Sequence, residues 1–265
     1  MTQASLAALA RPPSHLPTAP QLLAIASGKG GVGKTWLAIT LSHAMARAGG
    51  KVLLFDGDLG LANVDVQLGL SAERDVSGVL SGAYSLADAA VEYPEGGFSI
   101  VAGRSGTGSL AAVPSERLRG LASQLLKLAP SYDRVLLDLG AGIERTVRQI
   151  AGLAGTCLVV TNDEPTALTD AYAFIKLAVL HNRAVDIRVV VNQASSPGEG
   201  ERTYNTLRKA CETFLKVAPP LAGVIRRDPK VKESIRAQTP LLLRYPNAPA
   251  ALDVEALAAG LLRSG

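Results

Sequence analysis

The strongest constraint on the fold is a glycine-rich stretch, SGKGGVGKT, at residues 27–35. It follows an apolar run typical of a strand and leads into a stretch with helical periodicity. The stretch matches the pattern G-x-x-x-x-G-K-[ST] through Gly28, Gly33, Lys34 and Thr35. Glycines let successive backbone N–H groups converge on phosphate oxygens, and the helix start adds its positive end. The sequence therefore predicts a phosphate-binding loop between a strand and a helix.

Strand-like runs alternate with helical stretches from Gln21 onward. Seven short apolar runs are rich in leucine and β-branched residues, at 22–27, 51–56, 98–103, 133–139, 156–161, 187–193 and 221–225. Helical stretches lie near 34–48, 61–68, 74–91, 115–129, 144–153, 166–181, 200–216, 228–236 and 248–262. Apolar residues make up 48% of the chain and aromatic residues 4%, which suits an aliphatic core around a parallel sheet. We predict a single α/β P-loop NTPase domain with a mostly parallel, twisted sheet of about seven or eight strands and helices on both faces.

The N-terminal residues, the apolar segments and the two cysteines limit the class of protein to which the chain can belong. Residues 1–20 contain four prolines and predict a flexible tail ahead of one domain at 21–265. We see no basic region followed by an apolar run near the N-terminus, and no apolar segment long enough to span a bilayer. Cys157 and Cys211 form no CxxC pair. We therefore expect a cytoplasmic protein with both thiols reduced.

Polar residues after the loop and at two strand ends predict the rest of the site. Lys34 should reach the outer phosphates, and the Thr35 hydroxyl should ligate Mg²⁺. Asp56 and Asp138 each close a predicted strand, so we expect both at the same sheet edge, holding the metal and its waters together with Thr35. Asp58 lies two residues after Asp56 and should orient an attacking water. Taken alone, each aspartate could equally be a helix cap or a turn residue.

The net charge of +4 is unevenly distributed. Residues 202–236 hold nine lysines and arginines against three acidic residues. This excess is compatible with a surface for an acidic partner, including nucleic acid. An ordinary solvated helix face also explains it, and charge runs more often mean only that.

A second lysine in the loop, Lys29, points to a particular family. KGGVGKT with this lysine resembles the deviant Walker A ATPases, which include MinD, ParA and the nitrogenase iron protein. Further stretches resemble the flagellar-number regulator branch, called FlhG, FleN or YlxH. They are DGDLGLANVDVQLGL (56–70), DLGAGIE (138–144), EPTALTDAYAFIK (164–176), VNQ (191–193) and the C-terminal segment from GVIRRDPK onward. The likeness extends over residues 22–262, and marks 21–265 as a MinD/ParA-like ATPase domain.

The resemblance implies an ATPase that binds ATP or ADP with Mg²⁺ and forms a sandwich homodimer when ATP is bound. Lys29 would then cross to the phosphates held by the partner, as a cationic finger supplied in trans. Lys29, Lys34 and Asp58 are the implied catalytic residues. The implied nucleotide-binding set is Gly28, Lys29, Gly30, Gly31, Val32, Gly33, Lys34, Thr35, Trp36, Asn192 and Arg226.

Two members of this set concern the adenine base. The Asn192 amide offers both a donor and an acceptor for the base edge. Arg226 lies where the family commonly has a proline, and its guanidinium could stack on the ring.

Other departures from the family pattern affect the expected activity. Trp36 and Thr40 stand where small polar residues and an asparagine are usual, and we expect Trp36 to pack under the loop. Leu139 replaces a usual threonine or serine, so a hydroxyl near the magnesium waters is missing and hydrolysis should be slow. The C-terminus lacks the basic amphipathic segment with which MinD and FlhG usually end, which weakens a membrane role.

The leading functional hypothesis is an ATP-dependent dimerising switch with slow, partner-stimulated hydrolysis that regulates flagellar number and placement. The implied partners are a signal-recognition-type flagellar GTPase, a flagellar switch or C-ring component, and a transcription regulator. TQASLAALAR (2–11) loosely resembles an activator motif for that GTPase. Recruitment to a cell pole or to the inner face of the membrane stays open.

Three other classes compete with this hypothesis. A ParA- or MinD-type partitioning or positioning ATPase would bind DNA through 202–236, or bind a membrane. An iron–sulfur carrier would need a cysteine pair, which the spacing of Cys157 and Cys211 does not provide. A metabolic relative would transfer phosphate to a substrate carboxylate and turn over only with that substrate.

Overall fold

The apolar runs of the sequence pair into one sheet in the computed structural model, which describes residues 18–58, 60, 62–103, 113–182 and 185–263. The strands are β1 (Ala19–Ser27), β2 (Val52–Gly57), β3 (Val91–Tyr93), β4 (Phe98–Val101), β5 (Arg134–Ala141), β6 (Ala154–Thr161), β7 (Asp186–Ala194) and β8 (Leu221–Arg226). Over these described residues, the eight strands lie in the order β3-β4-β2-β5-β1-β6-β7-β8. Neighbours pair in parallel, except for β3 and β4, which are antiparallel.

Helices cover both faces of the sheet. They are α1 (Lys34–Arg47), α2 (Val64–Leu68), α3 (Val76–Ser81), α4 (Leu86–Ala89), α5 (Ser115–Leu128), α6 (Arg145–Ala151), α7 (Pro165–His181), α8 (Pro197–Leu215), α9 (Pro229–Arg236), α10 (Leu241–Arg244) and α11 (Pro249–Arg263). Successive strand side chains point to opposite faces. Phe55 accordingly joins the apolar cluster that contains Phe174 of α7, whereas Leu54 joins the cluster that contains Leu37 of α1. The predicted α/β architecture is confirmed.

One predicted helix, at 74–91, is wrong in detail, because two short helices and a strand occupy it. Gly82, with φ 83°, ends α3 in the left-handed conformation that favours glycine. Ser85 then begins α4 with a capping box in which its side chain and that of Asp88 each accept from the other's backbone N–H. The three-residue β3 and four-residue α10 were not predicted, because elements this short show no measurable periodicity.

The first strand begins earlier than predicted, whereas the last helix lies within one residue of its predicted range at both ends. Strand β1 begins at Ala19, so it includes the last two residues of the predicted tail, and residues 1–17 lie outside the described residues. The activator-like stretch at 2–11 is therefore also outside them. Helix α11 buries an apolar face that includes Val254 and Leu257, and its Glu255 pairs with Arg47 of α1 at 3.0 Å. No helix in the described part of the chain is long and apolar enough to cross a membrane.

Phe174 on α7 and Phe214 on the neighbouring α8 provide a matched test of core packing. Phe174 is fully buried, whereas Phe214 on α8 is 72% exposed. We expect Phe174→Ala to lower the free energy of unfolding by about 3–5 kcal/mol, because it removes buried area and leaves a cavity. The same change at Phe214 should stay within about 0.5 kcal/mol of the parent. Urea denaturation of both variants measures this, and equal losses would contradict the packing described.

Candidate functional site

The glycine-rich loop joins β1 to α1 at the carboxyl edge of the sheet. Gly31 and Gly33 have φ of 81° and 89°, a region that disfavours residues with a Cβ. Gly33 is also the N-cap of α1, and no side chain caps this helix. The first N–H groups of α1 are therefore left for a ligand, and the helix dipole favours an anion there.

Neighbouring elements hold the loop backbone closely on two sides. At the end of β7, Asn192 donates from Nδ2 to the Val32 carbonyl at 2.8 Å. A Cβ on Gly33 would lie 2.4 Å from that same Nδ2. On the other side, a Cβ on Gly28 would lie 2.1 Å from the carbonyl oxygen of Asp170 in α7. The loop can take this path only because glycine occupies both positions.

Two predicted metal-binding carboxylates lie on adjacent strands. Asp56 of β2 and Asp138 of β5 are direct partners in the parallel ladder. Asp56 is fully buried and accepts from the backbone N–H groups of Asp58, Asn63 and Val64 at 3.1–3.2 Å. Burial nevertheless raises the pKa of Asp56 to about 6, because it outweighs these donors.

Asp138 has fewer hydrogen-bond partners than Asp56. Both of its side-chain oxygens are buried, and neither has a hydrogen-bond partner among the described residues. Burial raises the pKa of Asp138 to about 7, and the charge of Asp56 adds to the increase. The nearby Thr35 hydroxyl and Lys34 ammonium act in the opposite direction. A cation at this position would relieve the repulsion between the two carboxylates.

Lys34 and Asp58 complete the predicted group. Lys34 is 8% exposed. Burial lowers the pKa of Lys34, while the charges of Asp138 and Asp58 oppose this decrease. The Asp58 carboxylate lies over the end of β5, since a Cβ on Gly140 would be 3.3 Å from its Oδ1. The fold therefore brings Lys34 close to aspartates from two neighbouring strand ends.

The donor set fits magnesium bound together with phosphate. No three His, Cys, Asp or Glu side chains in the described ranges form a group that could hold a metal ion. The predicted ligands are instead Thr35, Asp56 and Asp138. Magnesium commonly keeps several waters and binds through one or two carboxylates plus substrate phosphates. The unpartnered oxygens of Asp138 are consistent with such an ion, and the assignment remains a prediction.

The two predicted adenine contacts are engaged elsewhere in this structure. Asn192 is 3% exposed, and it holds the loop through Val32 while its Oδ1 accepts from the Gln193 N–H at 2.9 Å. The Arg226 guanidinium forms a two-pronged ion pair with Asp253 of α11, at 2.8 Å from both Nε and Nη2. This pair fixes the plane of the guanidinium by its edge, and stacking of the base on its face stays a prediction.

Trp36 is packed into the core beside the loop, as expected. Its side chain is 6% exposed and belongs to the same apolar cluster as Val32 and Leu37. Its Nε1 is buried without a hydrogen-bond partner among the described residues. The Thr40 hydroxyl donates to the Trp36 carbonyl at 2.8 Å within α1. Any direct contact of Trp36 with nucleotide remains a prediction.

Lys29 lies apart from the buried group around Lys34. Its side chain is 34% exposed and turns toward the start of α7, where Nζ donates to the carboxylate of Glu164 and, at 2.8 Å, to the Thr166 hydroxyl. The Ser27 hydroxyl donates to the Lys29 carbonyl at 2.6 Å and fixes the backbone. Glu164 and Thr166 are contacts of the loop that the sequence does not predict, because no spacing rule links the stretch EPTALTDAY to a loop 135 residues away.

The contact between Gly33 and Asn192 predicts a specific loss of nucleotide binding. We expect Gly33→Ala to weaken ATP and ADP binding by at least about tenfold, because a Cβ must displace the Asn192 amide and strain the backbone. Gly31→Ala has a similar φ, but a Cβ there has open space within 4 Å. It should therefore cause a smaller loss, measured by titration calorimetry. Equal losses would show that the Asn192 contact is unimportant.

The raised pKa of Asp138 predicts how the stability of the nucleotide-free protein depends on pH. Its folded-state pKa of about 7 lies above the ordinary value of 3.8, so between these values the folded chain binds a proton that the unfolded chain has lost. The free energy of unfolding should therefore fall as pH rises from about 4 to about 7. Urea denaturation at pH 5–8 should show a flatter profile for Asp138→Asn than for the parent. Asp163→Asn, at an exposed aspartate, is the matched control, and a parent-like profile for Asp138→Asn would contradict the assignment.

Comparison with known proteins identifies the family of the chain. Residues 23–241 match the model of the CobQ/CobB/MinD/ParA nucleotide binding domain. The chain is 38% identical to the antiactivator FleN of Pseudomonas aeruginosa, over 90% of this chain and 85% of that protein. It is 30% identical to the flagellum site-determining protein YlxH of Helicobacter pylori, over 92% and 82% of the two chains.

A solved structure supports the same assignment. The septum site-determining protein MinD of Pyrococcus horikoshii, in complex with Mg-ADP, superimposes with a TM-score of 0.73 at 27% identity, covering 90% of this chain and 94% of that one. Its strand and helix arrangement therefore matches the one described above. The chain belongs to the MinD/ParA family of nucleotide-binding proteins, and resembles its flagellar regulators FleN and YlxH.

Proposed function

We propose that this protein is an ATP-dependent dimerising switch that hydrolyses ATP slowly and regulates flagellar number and placement. The proposal rests on the different environments of two lysines in one loop. Lys34 is buried beside Asp138 and Asp58, whereas Lys29 is partly exposed and donates instead to Glu164 and Thr166 of α7. A lysine so placed can serve the phosphates of a second subunit. The similarity to FleN and YlxH supports the flagellar role.

The residues of the chain suggest how the switch would work. The loop N–H groups and Lys34 would hold the phosphates, and Asp58 would orient the attacking water. Mg²⁺, held by Thr35 with Asp56 and Asp138, would neutralise charge on the phosphates. Leu139 is buried and offers no hydroxyl at the end of β5, which is consistent with slow turnover that a partner accelerates. The dimer formed with ATP would present a surface that the ADP-bound monomer lacks.

The partners and location follow from the resemblance. The proposed partners are a signal-recognition-type flagellar GTPase, a component of the flagellar switch, and a transcription regulator. The proposed site of action is the cytoplasm, with recruitment to a cell pole or to the inner face of the membrane.

The competing DNA-binding function is less well supported by the charge distribution. Several of the nine bases in 202–236 are neutralised by ion pairs with acids. These pairs are Arg202–Glu199, Arg208–Glu212, Arg226–Asp253 and Lys230–Glu233. The segment also spans α8, β8 and α9 rather than one continuous helix face. A dimer that binds DNA at low salt, with binding lost steeply as salt rises, would favour this alternative.

Sizing by sedimentation velocity tests the switch. We expect a monomer with ADP, a weak dimer with ATP and a stable dimer when Asp58→Ala slows hydrolysis. Lys29→Ala should abolish the ATP dimer while ADP affinity stays near that of the parent, because the lysine acts on the partner's phosphates. Lys127→Ala, at an exposed lysine of α5, is the matched control. A monomer under all conditions would remove the switch, and a parent-like dimer of Lys29→Ala would remove the role in trans.

A further inference from the structure

The contact between Lys29 and α7 has a consequence for assembly. Within one subunit the ammonium is held by two acceptors of its own chain, the Glu164 carboxylate and the Thr166 hydroxyl. Both acceptors belong to the start of α7, where Glu164 is the N-cap and Thr166 lies in the first turn. Two of the three donors of the ammonium are thus taken by its own chain, so the phosphates of a second subunit must compete with these acceptors for it.

Asn162 contacts both the backbone and the carboxylate of Glu164. The Glu164 N–H donates to Oδ1 of Asn162 at 3.2 Å, and the Asn162 amide is 3.4 Å from Oε1 of Glu164. Asn162 itself is 3% exposed, at the end of β6. The hydrogen bond and charge of Lys29 lower the pKa of Glu164, so the carboxylate stays ionised at neutral pH.

The carboxylate is not needed to build the helix. No side-chain hydrogen bond caps α7, and Pro165 already occupies its first position, where a missing N–H costs nothing. Glu164 is also 54% exposed, so the domain core does not depend on it. A structural role for this side chain in α7 is therefore not required by any contact of the described residues.

We propose that Glu164, assisted by Thr166, is a positioning residue that latches Lys29 within its own subunit and so restrains dimer formation until ATP is bound. The inference rests on the proposed switch. Release of the latch exchanges one carboxylate for the phosphate charge of a second subunit, so the ammonium is never left without an anion. ATP supplies the strongest competing anion, which couples the exchange to the nucleotide bound by the partner.

The expected strength of the latch follows from its exposure. Exposed ion pairs contribute little, and each dimer must break two latches, one per subunit. Removing the carboxylate should therefore lower the dimer dissociation constant by roughly 2- to 30-fold. An effect of this size restrains assembly without preventing it.

The test compares dimer dissociation constants with Mg·ATP in an Asp58→Ala background, measured by sedimentation velocity. Glu164→Gln keeps the size of the side chain and removes its charge, and it should tighten the dimer within that range. Thr166→Val should tighten it less. Glu199→Gln is the matched control, because it removes an exposed carboxylate that is paired with Arg202 in the first turn of α8. It should leave the dissociation constant unchanged.

A second measurement detects the latch without dimer formation. Amine-directed labelling of the nucleotide-free monomer, followed by mass spectrometry, should modify Lys29 several-fold faster in Glu164→Gln than in the parent. Labelling of Lys127 serves as the internal reference. Unchanged labelling of Lys29 would show that the pair does not restrain the lysine.

The outcomes separate the latch from the switch. A parent that dimerises with ATP, combined with a Glu164→Gln dimer that is no tighter or is weaker, overturns the latch and leaves the switch intact. A weaker dimer would assign Glu164 to the interface itself. A parent that never dimerises overturns the switch, and the latch as a restraint on assembly falls with it.

Discussion

Close packing of the glycine loop against its neighbours is the constraint on which the site depends. A Cβ on Gly33 would meet Asn192, and a Cβ on Gly28 would meet the backbone of Asp170. Two elements therefore pack closely against the loop, the end of β7 on one side and α7 on the other. Because the loop is held from both sides, its N–H groups are oriented before any ligand arrives, and little ordering remains to be done on binding.

Burial of charge beside this loop is the second property that shapes the molecule. Asp56 and Asp138 face each other on neighbouring strands, and Lys34 is buried with them. In the free protein the carboxylates are held at raised pKa values of about 6 and about 7, which costs stability at neutral pH. A site that is strained without its ligand gains more when a cation and phosphates neutralise it. The stability of the fold and the occupancy of the site are thus linked.

Helix α7 connects the loop to the outside of the subunit. Its start holds Lys29, its next turn contacts Gly28, and Phe174 in its middle is buried in the core. In the proposed exchange, the Lys29 ammonium leaves the Glu164 carboxylate at the exposed start of this helix and binds a partner's phosphate.

The sequence by itself determined the features that depend on local spacing. The period of the apolar residues predicted the alternating strands and helices, and the G-x-x-x-x-G-K-T pattern predicted the loop with Lys34 and Thr35. Parallel strands end at one edge, so Asp56 and Asp138 could be placed together from their positions at strand ends. Within 74–91 the period of the apolar residues predicted one helix and was misleading, because Gly82 ends α3 and the Ser85 capping box begins a separate α4.

Only the tertiary structure decided which distant side chains meet. Asn192 reaches the Val32 carbonyl across 160 residues, and Lys29 reaches Glu164 across 135. Both contacts depend on the sheet order, which places β6 and then β7 on one side of β1. Spacing along the chain gives the type and phase of each element, but it does not give the order of strands in the sheet. The partners of Lys29, and hence the proposed latch, could therefore be found only in the folded chain.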